Sequence, residues 1–158
     1  MTTIHVSGLR KAYGAFDAVH DVTFTAAPGR VVGLLGPNGA GKTTTLHVLL
    51  GLAAPTAGTA TFDGRAFADL AHPARTVGAL LDAGGLHPGR TGRDHLRVLA
   101  SAGRIPARRV DEVLALVGMT PAADRRVRTY SLGMRQRVGI AAALLGDPEV
   151  LVLDEPAN

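Results

Sequence analysis

The chain of 158 residues contains no cysteine and no tryptophan, and aromatic residues make up only 4% of it. Without cysteine, disulfides and thiolate metal sites are excluded, and a reducing cytoplasm is permitted. The core must therefore be mainly aliphatic. No run approaches the roughly 20 apolar residues that cross a bilayer, and the first residues do not have the pattern of a signal peptide. Any membrane role is therefore expected to come through a partner.

The charge balance does not indicate a nucleic-acid-binding protein. The net charge is +4, from 17 basic and 13 acidic side chains, and this surplus also suits a nucleotide or phosphate partner. Small basic clusters occur at 108–109 and 125–128, but no aromatic residues alternate with them to form a stacking platform for bases. These clusters are interpreted as solvated surface. The length and the 46% hydrophobic content fit one globular domain.

Hydrophobic patterning predicts both strands and helices. Apolar and polar positions alternate over 4–8 and 22–26, which predicts an antiparallel element at the start of the chain. Val31–Leu35 is apolar throughout, as a strand covered on both faces would be. Further strands are predicted at 59–62, 77–81 and 150–153.

Helical periodicity predicts one helix early in the chain and a mainly helical insertion over residues 85–146. The early helix is predicted from Thr43 to about Leu52, and Gly51 with Pro55 nearby is the signal for its end. In the insertion, one helix begins near Thr91, a second ends near Gly118, and Ser131 is placed to cap a third. The apolar faces of the second and third helices comprise Val110, Val113, Leu114 and Val117, and Met134, Val138, Ala141 and Leu145.

Residues 36–43 fit the phosphate-loop pattern G-x-x-x-x-G-K-[ST] at every defined position. They are Gly36, Pro37, Asn38, Gly39, Ala40, Gly41, Lys42 and Thr43. Such a loop turns consecutive backbone N–H groups toward an anion, and the dipole of the following helix adds to the attraction. Lys42 is placed to reach the β- and γ-phosphates, and the Thr43 hydroxyl to ligate Mg²⁺. A glycine turn that merely precedes a helix is the simpler alternative.

An acidic pair, Asp154 and Glu155, follows the apolar run Val150–Leu153. A carboxylate at a strand end can hold Mg²⁺ through water, and this is the role predicted for Asp154. Glu155 is predicted to polarise the attacking water as a general base. An isolated pair of this kind would be interpreted as surface charge, but the phosphate loop upstream favours catalysis.

Between these motifs lies the segment Tyr-Ser-Leu-Gly-Met-Arg-Gln-Arg, residues 130–137. The three motifs in this order resemble the ATP-binding subunit of an ABC transporter, and the resemblance covers nearly all of the chain. It implies an α/β P-loop NTPase fold with a mainly parallel core sheet, an N-terminal antiparallel β element and a helical insertion. The expected single domain, 1–158, divides into a nucleotide-binding core (1–84), a helical subdomain (85–146) and the acidic strand (147–158).

The resemblance also implies roles for individual residues. Tyr13 matches the family's aromatic residue that stacks on adenine, although a half-exposed tyrosine in a turn is the alternative, and Thr44 would be a further phosphate donor. Asp82 stands where the family usually has a glutamine that contacts Mg²⁺ and water. The signature positions, which would face the ATP held by an opposite subunit, are Ser131, Leu132, Gly133 and Met134.

Two of these positions depart from the family's usual signature, Leu-Ser-Gly-Gly-Gln, because Leu132 and Met134 replace a glycine and a glutamine. Together with Asp82, these departures resemble the bacterial exporter branch associated with peptide-antibiotic and multidrug efflux. The implied ligands are ATP and Mg²⁺. The implied partners are a second nucleotide-binding subunit, in a homodimer, and a transmembrane permease, which would hold the protein on the cytoplasmic face of the plasma membrane. No nucleic acid is expected.

Other functions remain open at this stage. A soluble ABC ATPase that acts on ribosomes or DNA is one alternative, and a non-catalytic nucleotide-binding module is another. A P-loop kinase would leave residues 130–137 unexplained. Family members continue past the acidic pair with an aspartate-containing loop and a strand that ends in histidine, whereas all six histidines here precede Asp154. The chain is therefore expected to be a C-terminally truncated fragment of marginal stability that binds Mg-ATP weakly and does not turn it over.

Overall fold

The computed structural model describes residues 1–81 and 85–155, which fall into two compact units, Met1–Pro73 and Ala74–Asn158. Each unit is described by itself. The first contains β1 (Ile4–Tyr13), β2 (Phe16–Ala26), α1 (Lys42–Leu49), β3 (Ala57–Phe62) and a 3-10 turn at Phe67–Asp69. A short helix, α2 (Pro73–Thr76), lies at the boundary. The second contains β4 (Val77–Leu80), α3 (Gly92–Ala102), α4 (Arg108–Leu116), α5 (Leu132–Leu144), β5 (Val150–Leu153) and 3-10 turns at Thr120–Ala122 and Val127–Thr129.

The first unit is an antiparallel sheet with strand order β2-β1-β3. Ile4 pairs with Ala26 on one side and with Phe62 on the other, so β1 is the central strand. Alternate β1 side chains are buried because one face of the sheet covers the core. The buried positions of α1, including Val48 and Leu49, also belong to this core. The predicted opening strands, the strand at 59–62 and the early helix are confirmed.

The prediction of a buried strand at Val31–Leu35 is wrong for this structure. Residues 31–35 have no strand assignment, and the side chains of Val31 and Leu35 are almost fully exposed. A strand requires a neighbour that completes its hydrogen-bond ladder, and no described strand pairs with this run. An apolar composition alone was therefore insufficient to produce the strand.

The second unit contains a two-stranded parallel sheet in which Val77 pairs with Val150 and Leu80 with Leu153. Helix α5 lies directly on β4, because a Cβ at Gly139 would be only 2.8 Å from a methyl carbon of Leu80. The helices enclose one hydrophobic core, which comprises Leu96, Ala100, Val110, Val113, Leu114, Met119, Ala123, Val127, Tyr130, Val138, Ala141 and Leu145. The predicted apolar faces of the second and third helices in the insertion contribute most of their residues to this core.

Two helix starts in the second unit follow from capping residues. The Thr91 hydroxyl accepts a hydrogen bond from the Asp94 N–H at 3.0 Å, and the Ser131 hydroxyl accepts one from the Met134 N–H at 3.3 Å. The N-cap at Ser131 and a helix start near Thr91 were expected from the sequence, since a hydroxyl at the N-cap satisfies an N–H group that the helix leaves unpaired. The α/β class with parallel and antiparallel sheets is also as predicted, whereas the division at 85 and 146 stays a prediction.

A membrane-spanning helix was not expected from the sequence. Across 1–81 and 85–155, none of the helices combines the length and apolar character needed to cross a bilayer.

Candidate functional site

The phosphate loop between β2 and α1 depends on glycine at its turn into the helix. Gly41, the residue before α1, has φ 82°, and Gly39 has φ 84°, both in the left-handed region that favours glycine. A Cβ at Gly41 would also collide with the Ala18 carbonyl oxygen and approach a Val19 methyl at 3.0 Å. Glycine at position 41, the second glycine that the motif pattern defines, is therefore required by both its dihedral angle and the close packing of β2.

The side chain of Lys42 folds back over the loop that precedes it. Its ammonium donates hydrogen bonds to the carbonyl oxygens of Gly36 at 2.8 Å and of Pro37 at 2.9 Å. The buried Thr45 donates its hydroxyl to the Gly41 carbonyl at 2.9 Å, which secures the first turn of α1. The cation is consequently held against the loop by two charge-assisted hydrogen bonds. Thr43 is exposed and Thr44 half-buried at the start of the same helix.

Tyr13 lies at the end of β1, and its side chain is 52% exposed. The ammonium of Lys11 lies 4.6 Å from the centre of its ring, in a cation–π arrangement. Tyr13 pairs across the hairpin with Phe16, which is also exposed. An exposed ring of this kind can stack on a purine, and Lys11 occupies one of its two faces. Sequence reasoning missed Lys11, although residues two apart on a strand share a face.

The acidic pair stands at the carboxyl end of β5. The N–H of Asp154 donates to the Leu80 carbonyl at 2.8 Å, so the parallel ladder extends one residue beyond Leu153. Asp154 is half-buried and Glu155 is exposed. Glu155 has φ 43°, in the left-handed region. The chain therefore turns sharply where the predicted general base is located.

The predicted signature positions cluster around the start of α5. Ser131 is the N-cap, Leu132 is 64% exposed, and Gly133 has open space where a side chain would begin. Met134 is half-buried. A capped N-terminus of a 13-residue helix, with its first side chains turned to solvent, can accept an anion.

Tyr130, the residue before this cap, differs from the exposed residues at the start of α5 because it lies in the hydrophobic core. Only 4% of it is exposed, and its hydroxyl donates to the Ala122 carbonyl at 2.7 Å. Burial raises the pKa of Tyr130, because the phenolate would lose its hydration. This side chain therefore anchors the loop before α5 and is not part of the exposed surface.

Sequence reasoning also missed Gln136. Its side-chain amide donates to the backbone carbonyl of Glu155 at 3.2 Å, across 19 residues of sequence. The second unit thus joins the signature helix to the acidic pair. Tyr13 and the phosphate loop belong to the first unit, and Asp154, Glu155 and the signature belong to the second. Asp82 lies outside the described residues.

Comparison with known proteins gives a consistent result. The family model described as ABC transporter matches residues 19–158. YdbJ of Bacillus subtilis (strain 168), an uncharacterized ABC transporter ATP-binding protein, is 39% identical over 98% of this chain and 51% of its own length. The bacitracin transport ATP-binding protein BcrA of Enterococcus faecalis is 38% identical over 98% of this chain and 51% of its own length.

A solved structure agrees with these relatives. An ATP binding subunit of an ABC transporter superposes with a TM-score of 0.84 at 30% identity, and the match covers 98% of this chain and 66% of that subunit. The chain spans about half the length of the two curated relatives described above.

Proposed function

Because this chain belongs to the ABC transporter family, we propose that it is the ATP-binding and ATP-hydrolysing subunit that powers a membrane permease. Export is the direction proposed, and a peptide-like or drug-like compound is the cargo class, as the departures at Leu132 and Met134 suggest. The protein would work as a dimer of nucleotide-binding subunits on the cytoplasmic face of the plasma membrane. The name of BcrA, a bacitracin transport protein, supports this substrate class.

The observation that carries the proposal is the loop folded around the Lys42 ammonium. Two carbonyl oxygens hold this cation at 2.8 and 2.9 Å, directly before a helix N-terminus. The terminal phosphates of a nucleotide would replace these carbonyls as acceptors of the Lys42 ammonium. The new hydrogen bonds would be charge-assisted, and such bonds are about twice as strong as neutral ones. In the same unit, the exposed ring of Tyr13 would stack on the adenine, and residues 36–44 would bind the phosphates.

The remaining roles concern Mg²⁺, the attacking water and the nucleotide of the partner subunit. The Thr43 hydroxyl and the Asp154 carboxylate are hard oxygen donors of the kind that Mg²⁺ takes, and Asp82 is a third candidate. When bound, the metal would neutralise phosphate charge. Glu155 would accept the proton of the attacking water. Ser131, Leu132, Gly133 and Met134 would contact the nucleotide of the partner subunit.

The test is ATP hydrolysis by the protein isolated in the complex that it forms in its own cells. We expect Glu155→Gln to lower kcat about 100-fold or more while ATP binding persists, because only the proton acceptor is lost. Lys42→Ala is expected to weaken binding and hydrolysis together. Equal hydrolysis in the wild-type and Lys42→Ala complexes would refute the proposal.

The 158-residue polypeptide alone is expected to bind Mg-ATP weakly and not to turn it over. The physical reason is that Val31–Leu35, which leads into the phosphate loop, is exposed and has no strand assignment. Steady-state hydrolysis by this polypeptide above a Lys42→Ala control would contradict this expectation.

A further inference from the structure

The contact between Gln136 and Glu155 links two elements that no sequence pattern connects. The Gln136 side-chain amide donates to the Glu155 carbonyl oxygen at 3.2 Å. Gln136 is half-buried on α5, and Glu155 is the first residue after the ladder bond between Asp154 and Leu80. The Gln136 amide therefore binds the backbone of the residue that follows the last ladder hydrogen bond between β5 and β4.

The backbone at Glu155 needs such support. Its φ of 43° places a non-glycine residue in the left-handed region, which is less favourable than ordinary backbone conformations. A conformation of this kind persists only where surrounding interactions hold it. The hydrogen bond from Gln136 acts on the carbonyl of this same residue, so it constrains the peptide group that follows the strained dihedral angle.

The helix that supplies the amide is itself fixed to the sheet. Val138 and Ala141 of α5 are fully buried in the core. Gly139 allows α5 to lie close against Leu80, the β4 residue whose carbonyl receives the Asp154 N–H. Gln136 is thus presented from a rigid element to the end of the neighbouring strand.

We propose that Gln136 is a positioning residue, which holds the Glu155 backbone and couples its carboxylate to the N-terminus of α5. Ser131, the N-cap, precedes Gln136 by five residues, which is about 1.4 helical turns. The inference rests on the proposed function, in which Ser131 contacts the partner's nucleotide and Glu155 acts on water. A shift of α5 upon partner binding would then move the Glu155 backbone through one hydrogen bond.

The first test compares Gln136→Leu and Gln136→Glu in the isolated complex. Leucine removes the donor, and glutamate keeps the shape but presents an acceptor to a carbonyl oxygen. We expect each to lower kcat about tenfold with KM for ATP within about twofold, since misplacement of a catalytic group affects the chemical step more than binding. Gln136→Lys, which retains a donor, should recover part of the rate.

The matched control is Arg137→Leu, on the next residue of the same helix. Arg137 is exposed, so this change should leave kcat unchanged. Equal kcat in the Gln136 variants and wild type would overturn the inference, as would a rise in KM without a change in kcat. Equal ATP hydrolysis in wild type and Lys42→Ala would overturn the proposed function. It would also overturn the predicted effect of Gln136 on kcat.

A second measurement decides the contact independently of ATP hydrolysis. Gln136 is the only glutamine in the sequence, so selective ¹⁵N labelling of glutamine side chains gives the signals of one amide group. In folded protein, identified by dispersed core methyl signals, we expect slow solvent exchange for one amide proton. Gln136→Leu should also shift the backbone carbonyl ¹³C signal of Glu155, whereas Arg137→Leu should not. Fast exchange, or an unshifted Glu155 signal, would overturn the contact.

Discussion

Replacing Tyr130 by phenylalanine tests whether this residue belongs to the core or to the ligand surface. The chain has two tyrosines, and the structure gives them opposite environments. Tyr130 is 4% exposed, whereas Tyr13 is 52% exposed. The same change at Tyr13 is therefore a matched control, because both substitutions remove one hydroxyl and keep the ring.

The expected effect of Tyr130→Phe follows from the hydrogen bond that its hydroxyl donates. The Ala122 carbonyl accepts this bond at 2.7 Å, and the same carbonyl also accepts the Arg125 N–H at 3.0 Å, so it keeps one partner in the variant. One such bond contributes about 1 kcal/mol. We expect the free energy of unfolding to fall by about 1 kcal/mol. For a chain of this size, the melting temperature should fall by about 2–4 °C.

The assay is urea unfolding followed by circular dichroism, with the slope m checked for constancy. Tyr13→Phe should change the free energy of unfolding by less than about 0.5 kcal/mol, as exposed substitutions usually do. A Tyr130→Phe variant as stable as wild type would refute the core role of this hydroxyl. Weaker ATP binding at unchanged stability would instead place Tyr130 on the ligand surface.

Two further predictions concern backbone strain and pH. Gly41→Ala should lower the free energy of unfolding by more than about 2 kcal/mol, because the new Cβ would collide with the Ala18 carbonyl and the residue would have an unfavourable φ. Gly14→Ala has only the unfavourable φ and should lower it less. Equal losses of the two variants in chemical denaturation would contradict this. Burial, and then the charge of Arg90, lowers the pKa of His95 below its ordinary value of 6.5. The unfolded state then binds more protons than the folded state, so the free energy of unfolding should fall as the pH drops through about 6.5. His95→Phe should remove this pH dependence in a series of denaturation curves. An unchanged slope of the free energy of unfolding against pH would refute the prediction.

The features that were predictable from the sequence are those that depend on neighbouring residues. The N-cap at Ser131 is one example, because its hydroxyl and the Met134 N–H that it binds are three residues apart. The phosphate loop is another, since its glycines, Lys42 and the helix start are contiguous. In such cases the chemical need and the residue type appear together in a short segment.

Features that depend on distant contacts were not predictable in this way. Gln136 and Glu155 are 19 residues apart, and only the packing of α5 on β4 brings them together. Tyr130 appeared as part of a functional motif, whereas its bond to Ala122 makes it a core anchor. Residue identity alone did not distinguish these two roles, because a tyrosine suits a buried site and an exposed one equally well.

The run Val31–Leu35 shows how the anchoring of the phosphate loop differs from the expectation. The sequence predicted that a buried strand would deliver the loop, yet the exposed run provides no ladder of hydrogen bonds among the described residues. The described contacts that hold the loop lie at its C-terminal end. There Gly41 packs on the Ala18 backbone of β2, and Thr45 donates a hydrogen bond to the Gly41 carbonyl. The first turn of α1 is therefore held by contacts at Gly41 and Thr45. This is why a change at Gly41 should disturb the site more than a change within 31–35.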